Sequence, residues 1–350
     1  ILPNKDVTWE TSEQLDLGLD ARFLGSRLGL SFDYYIKTTK DWLVQAPILD
    51  SYGTNAPYIN GGDVRNKGIE LALNWNDHVG DFTYGVNLNL SHNENEVTRI
   101  ANSEGIIHGS PNILSEGTTE MYRAQEGYPI GYFYGYKTLG VFQSEKQIAE
   151  YTRAKLSGTA PGDLIFADTN KDGVIDDKDK CMIGNPHPDV TMGLTLNFAY
   201  KGFDLGITTN AVFGNQIAKS YRSFTDQPKE NYTTDILGRW HGEGTSNRLP
   251  RVASGTNVNW LYISDIFIED GDYFRIQNVT LGYDFKKLFP RMPLGQVRLY
   301  VTAQNLATFT KYSGMDPEIG YGADKSWVSG IDVGFYPSPR TYMIGVNLKF

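Results

Sequence analysis

The sequence holds a single cysteine, Cys181, which excludes an intramolecular disulfide framework. Basic residues are in deficit too: 32 Lys and Arg stand against 41 Asp and Glu, a formal net charge of -9. That balance excludes the basic footprint of a nucleic-acid partner. No run of about 18 apolar residues occurs, so no transmembrane helix is encoded. Membrane strands stay open, because a barrel strand needs only about 9–11 residues of alternating polarity. The five histidines, His78, His92, His108, His187 and His241, fall in no metal spacing such as HExxH. Neither a G-x-S-x-G elbow nor a phosphate- or dinucleotide-binding glycine loop is present. Without such a constellation the chain is not read as an enzyme. Hydrophobic residues reach only 40%, little for one packed core of this size but suited to a shell with a wet interior.

What the sequence has is alternation. From Arg340 to Phe350, Tyr342, Ile344, Val346, Leu348 and Phe350 are apolar, with Thr341, Gly345, Asn347 and Lys349 between them and Met343 as the exception. Strand side chains point to opposite faces in turn, so this segment has one greasy and one wet face. The pattern recurs at Leu15–Leu19, Leu28–Ile36, Ile69–Trp75, Phe82–Leu90, Leu194–Tyr200, Phe203–Ala211, Val279–Phe285 and Val297–Ala303. Short turns such as Lys201–Gly202 alternate with long polar connections such as Asn215 to Gly271. Short turns on one side and long loops on the other are the habit of outer-membrane barrels. A soluble sandwich or propeller is the rival, but sandwich turns are short at both ends and no blade-length repeat occurs. Parity requires an even number of strands between Phe82–Leu90 and Leu194–Tyr200. Thr119–Gln125 and Gly131–Val141 are taken to supply them, giving eleven strands. Single-chain bacterial barrels have even strand numbers, so eleven strands belong to a larger barrel.

Two further features invite a chemical reading. DTNKDGVIDDKD, Asp168 to Asp179, has the spacing of a calcium loop. Asp168, Asn170 and Asp172 fall at positions 1, 3 and 5, Gly173 at 6, the Val174 carbonyl at 7, Asp176 at 9 and Asp179 at 12. Position 12 ordinarily carries a bidentate Glu, so Asp179 departs from the pattern. A structural Ca²⁺ is expected to pin the loop within residues 142–189; the bland reading is a solvated acidic turn. Loop aromatics, Trp240, Trp260 and Trp327 above all and also Tyr52, Tyr58 and Tyr321, are candidates for stacking on a substrate, against the alternative that they pack the loops. Tyr132, Tyr134 and Tyr136, spaced by two, are read as lipid-facing or girdle residues.

Several stretches together carry a family resemblance: WETSEQLDLGLD, NGGDVRNKGIELALNW, PIGYFYGYKTLGVFQS, PGDLIFADTNKDGVIDDKD, EDGDYFRIQNVTLGYDF, RLYVTAQNLATFTKYSGMDPE and the ending FYPSPRTYMIGVNLKF. From near Trp9 to Phe350, in family order, the chain resembles the C-terminal part of SusC/RagA-type TonB-linked outer-membrane transporters of Bacteroidota. The resemblance implies a 22-stranded barrel of which this chain is the last part. It also implies a plug domain and a TonB-contacting segment in an N-terminal half outside this chain, a SusD-like surface lipoprotein as lid, and import of a large glycan or peptide. Such a protein is exported, so the chain, which has no signal peptide at Ile1, is expected to be a fragment or one half of a split transporter. A passive structural or adhesion barrel with a calcium-ordered surface loop is the alternative.

Overall fold

A computed structural model describes residues 4–45, 53, 57–114, 117–220, 233–252, 258–320 and 327–350. Its backbone is organised by one antiparallel sheet of nine strands. These are β1 (Thr11–Phe23), β2 (Leu28–Gln45), β3 (Tyr58–Val79), β4 (Phe82–Ile100), β5 (Val190–Tyr200), β6 (Phe203–Phe213), β7 (Tyr273–Asp284), β8 (Gln296–Thr310) and β9 (Thr341–Lys349). Each pairs with its neighbour in chain order, so the wall is a meander with β1 and β9 at its edges.

Register turns the alternation of single strands into rows across the wall. On one face Leu19, Phe32, Leu71, Leu90, Met192, Ala211, Phe274 and Phe309 lie side by side from β1 to β8. Lower down, Tyr84, Phe198, Leu205, Leu281, Val301 and Ile344 form a second such row. Among the described residues no second layer covers this face: Leu19 is 59% exposed and Ile344 73%. An apolar surface of that extent is stable only against lipid. Rings gather at its short-turn end, where Phe82 stacks on Phe198 at 6.2 Å and Phe203 meets Tyr283 at 4.4 Å, an interfacial girdle. Toward the other end the same face turns charged: Lys67 pairs with Glu94 at 2.6 Å, beside Leu15 and Ile36 in register. The apolar belt stops there. β3 and β4 run on well past it, since a strand of β3's 22 residues far exceeds what a bilayer core requires.

The opposite face is wet. One register row reads Asn76, Gly85, Asn197, Gly206, Thr280 and Thr302. Amides and hydroxyls bond across it: Asn74 donates to Asn87, Asn76 Nδ2 to Asn74 Oδ1 at 2.6 Å, and the Thr280 and Thr302 hydroxyls lie 2.8 Å apart.

Among the described residues the wall has nine strands rather than the eleven expected. Thr119–Gln125 and Gly131–Val141 do not cross: Tyr122–Gln125 and Tyr132–Gly135 join Ile106–His108 and Cys181–Gly184 in a separate four-stranded sheet, and Thr138–Val141 pairs with Leu164–Phe166. β4 instead pairs directly with β5. Zero intervening strands satisfy parity as well as two, and nine, being odd, still leaves the barrel to be closed by further strands. Tyr132 and Tyr136 are correspondingly not lipid-facing; both are buried, at 1% and 3% exposure, inside the loop layer.

That layer, the cap, is built from the described residues of the long connections 101–189, 214–272 and 311–340. Its core unites residues from all three, among them Phe133, Val141, Phe166, Trp260, Phe267, Val328 and Ile331. A second cluster, Trp42, Val44, Val64, Val97 and Ile100 from the tops of β2–β4 with Ile107 and Ala124, seats the cap on the wall.

Candidate functional site

The structure offers two functional surfaces, the wet wall and the cap. Along the wall lie two grooves, of 690 and 960 Å³, whose linings include Asn76, Asn197 and Thr208 in one and Ser31, Asn74 and Asn89 in the other. One charge pair spans the wall at its short-turn end, while Asp33 and Glu70 stand opposite each other in register farther along. Arg298 makes a two-pronged contact with Asp204, at 2.8 and 2.5 Å, and the absence of a side chain at Gly282 makes room for its guanidinium. Such bidentate contacts fix orientation as well as charge. The result is a polar surface of amides and hydroxyls with carboxylates among them.

Within the cap, distant segments are tied by buried charges. Asp163 accepts from Arg251 Nε at 2.7 Å and from Asn259 Nδ2 at 2.8 Å, joining residues about ninety positions apart. Lys219, buried, reaches Asp235 at 2.7 Å and the Ser313 hydroxyl at 2.6 Å, with Glu269 at 3.8 Å. Arg275, at the cap end of β7, donates to Thr308, Glu318 and Asp316. Tyr312 donates to Asp332 at 2.5 Å. His187 sits in the seam between cap and wall, its Nε2 2.7 Å from the Ile130 carbonyl. Burial lowers its pKa, and the carbonyl contact only partly opposes this. A carbonyl oxygen can only accept, so Nε2 is the donor in this contact. None of these ties was legible beforehand, because each joins residues far apart in sequence with no local motif to mark them.

The candidate aromatics fall into the packing. Trp260 is fully buried in the cap core, 6.2 Å from the Phe267 ring, so it has no surface to offer a substrate; that expectation is corrected. Trp240 is half-buried against the same core, its indole N–H donating to Gln143 Oε1 at 3.1 Å. Trp327 joins the two clusters, edge-on to Trp42 at 5.9 Å and to Tyr122 at 5.1 Å. Tyr58 is exposed at the start of β3. Tyr52 and Tyr321 lie outside the described residues.

The Asp168–Asp179 loop is closed by its own side chains. Asp168 accepts from the amides of Asp172 and Gly173, and Asn170 and Asp172 make further turns onto Asp172 N and Val174 N. Lys171 and Gly173 take positive φ, as the tight turn requires. Asp179, fully buried, accepts from the amides of Thr169, Asn170 and Asp176, and Asp176 caps Lys178. Among the described residues no three His, Cys, Asp or Glu side chains gather closely enough to hold a metal by themselves. An ion here would draw on Asn170 and the Val174 carbonyl as well.

Comparison with known proteins agrees with the geometry. A family model described as TonB dependent receptor-like, beta-barrel, matches residues 1–306. TonB-dependent receptor P3 of Formosa agariphila is 37% identical over 99% of this chain and 35% of its own length. TonB-dependent receptor SusC of Bacteroides thetaiotaomicron is 30% identical over 99% of this chain and 32% of its own. The chain thus spans about a third of these relatives. Among solved structures, the RagAB peptide transporter superposes with a TM-score of 0.79 at 22% identity, covering all of this chain and 36% of its counterpart, a likeness of fold. An uncovered apolar face, a wet inner face and this match lead to one conclusion: the chain belongs to the TonB-dependent receptor β-barrel family of the outer membrane.

Proposed function

We propose that this chain is the C-terminal part of the barrel of a SusC/RagA-type importer, and that the whole protein takes up a large nutrient, oligosaccharide or peptide, at the expense of TonB-transmitted energy. The observation that carries the reading is the open sheet, apolar outside and amide-lined inside, within a TonB-dependent receptor family. β1 and β9 both run toward the short-turn side, so the strands that complete the barrel begin and end running the other way. The N-terminal part, as the same or a separate polypeptide, would bring those strands with a plug and a TonB-contacting segment. A SusD-like lipoprotein would rest on the packed cap. The RagAB relative is described as a peptide transporter, which makes peptides the first substrates to try. The test is uptake of labelled oligopeptides and oligosaccharides by cells carrying the full transporter, with and without TonB and the lipoprotein. Uptake of one class that vanishes without TonB is expected; TonB-independent accumulation, or surface adhesion without uptake, favours the passive-barrel reading instead.

We further propose a structural Ca²⁺ at Asp168, Asn170, Asp172, Val174, Asp176 and Asp179. Support comes from the ligand spacing and from a turn already shaped by positive φ at Lys171 and Gly173. Calorimetry on the purified transporter is expected to show Ca²⁺ uptake that Asp172→Ala abolishes. Equal uptake by the variant, or none by either protein, sinks the assignment.

A further inference from the structure

A histidine in the cap is held between two carboxylates. His108 closes the short strand Ile106–His108, and its Nδ1 lies 2.9 Å from both oxygens of Glu120 while its Nε2 lies 3.1 Å from Glu104. A neutral imidazole carries only one N–H, so both contacts are hydrogen bonds only in the imidazolium. The two sides are unequal. Glu120 is mostly buried and is also held by Arg123 and by the Gly109 amide at 2.9 Å. Arg123 is in turn fixed over the Tyr134 ring, 3.3 Å from its centroid. Glu104 is exposed, and His108 is the partner its carboxylate meets. Glu126, packed near Gly105, is engaged elsewhere, accepting from the Ile100 amide at 2.7 Å.

We propose that His108 is a proton-operated clasp: protonated, it ties the turn at residues 102–105 to the Glu120 segment, and on losing a proton it releases Glu104 while keeping Glu120. The proton retained is the one on Nδ1, where the fixed carboxylate lies. The one lost leaves a lone pair on Nε2 facing Glu104, which repels it. Burial works against the charged ring, but Glu120 and Glu104 outweigh it and raise the His108 pKa above its ordinary value. The sign follows. With the folded value raised, the clasp contributes fully below the unfolded value near pH 6.5 and is lost as pH rises through the higher folded value. The turn itself persists through Asn102, whose Oδ1 accepts from the Glu104 and Gly105 amides. Release therefore loosens one edge of the cap and leaves its core packed.

Hydrogen exchange on the full-length transporter in detergent, from pH 6 to 9 and corrected for intrinsic rates, reads the clasp. Protection of the peptide covering residues 101–109 is expected to fall by about two- to fivefold across this range, the scale of one exposed charge pair. A cap-core peptide spanning Trp260 should hold steady. Glu104→Gln and His108→Gln are each expected to abolish the step. A step retained in both variants, or no step in the native chain, overturns the proposal; the native series alone decides should a variant misfold.

Discussion

Leu194→Lys should sharply reduce the amount of assembled transporter in the outer membrane, whereas Thr195→Lys, one residue along, should leave it close to native. The two positions share a strand and a depth. Leu194 faces outward, between Leu88 of β4 and Thr209 of β6, with Leu73 and Leu30 continuing its row. Thr195 faces inward, between Asn87 and Thr208. A lysine near the bilayer midplane on the lipid face costs about 2–4 kcal/mol. The same charge on the inner face stays hydrated among amides and hydroxyls. The check is the heat-modifiable, folded band in outer-membrane fractions at matched synthesis. Equal loss in both variants would mean that the two faces are not divided between lipid and water.

This pair also marks how far the sequence could be read. The wall strands were legible because each meets two unlike solvents, and that difference is written residue by residue as alternation: Leu194, Thr195, Leu196, Asn197. The cap was not. In its strand Tyr132–Gly135 the neighbouring Tyr132 and Phe133 are buried alike, so the spacing of two in the tyrosines marks no lipid-facing side. The row at the girdle, Phe82, Tyr200, Phe203 and Tyr283, emerges only when register brings four strands together. Long-range ties were invisible for the same reason. Arg298 and Asp204 are 94 positions apart, and nothing near either residue announces the other. The calcium-like loop was legible as a motif because its partners all lie within Asp168–Asp179.

The aromatic residues are where sequence and structure part most clearly, and Trp260→Ala puts the difference to a measurement. The indole is fully buried where connections from three parts of the chain meet. Truncation to alanine removes most of its contacts and leaves a cavity, a change that costs about 3–5 kcal/mol in a packed core. The loss falls on the cap, because the nine wall strands are held by their own backbone ladder and by lipid. The expected outcome is thus divided: the barrel still migrates as a folded, heat-modifiable species, while segments 138–166 and 258–268 lose protection against protease and hydrogen exchange. Substrate uptake and lid docking should fall with the cap, since both would use its surface. A variant that kept native cap protection and lost uptake alone would return Trp260 to the role its burial denies it, direct contact with the transported molecule. A variant in which the barrel failed as well would show that cap and wall fold as one unit, through the Trp327 bridge between Trp42 and Tyr122. The geometry favours separation: the Trp260 core draws on all three loops, whereas the cap is seated on the wall through a second cluster, Ile107, Ala124, Ile130 and Trp327 against the tops of β2–β4, to which Trp260 does not belong.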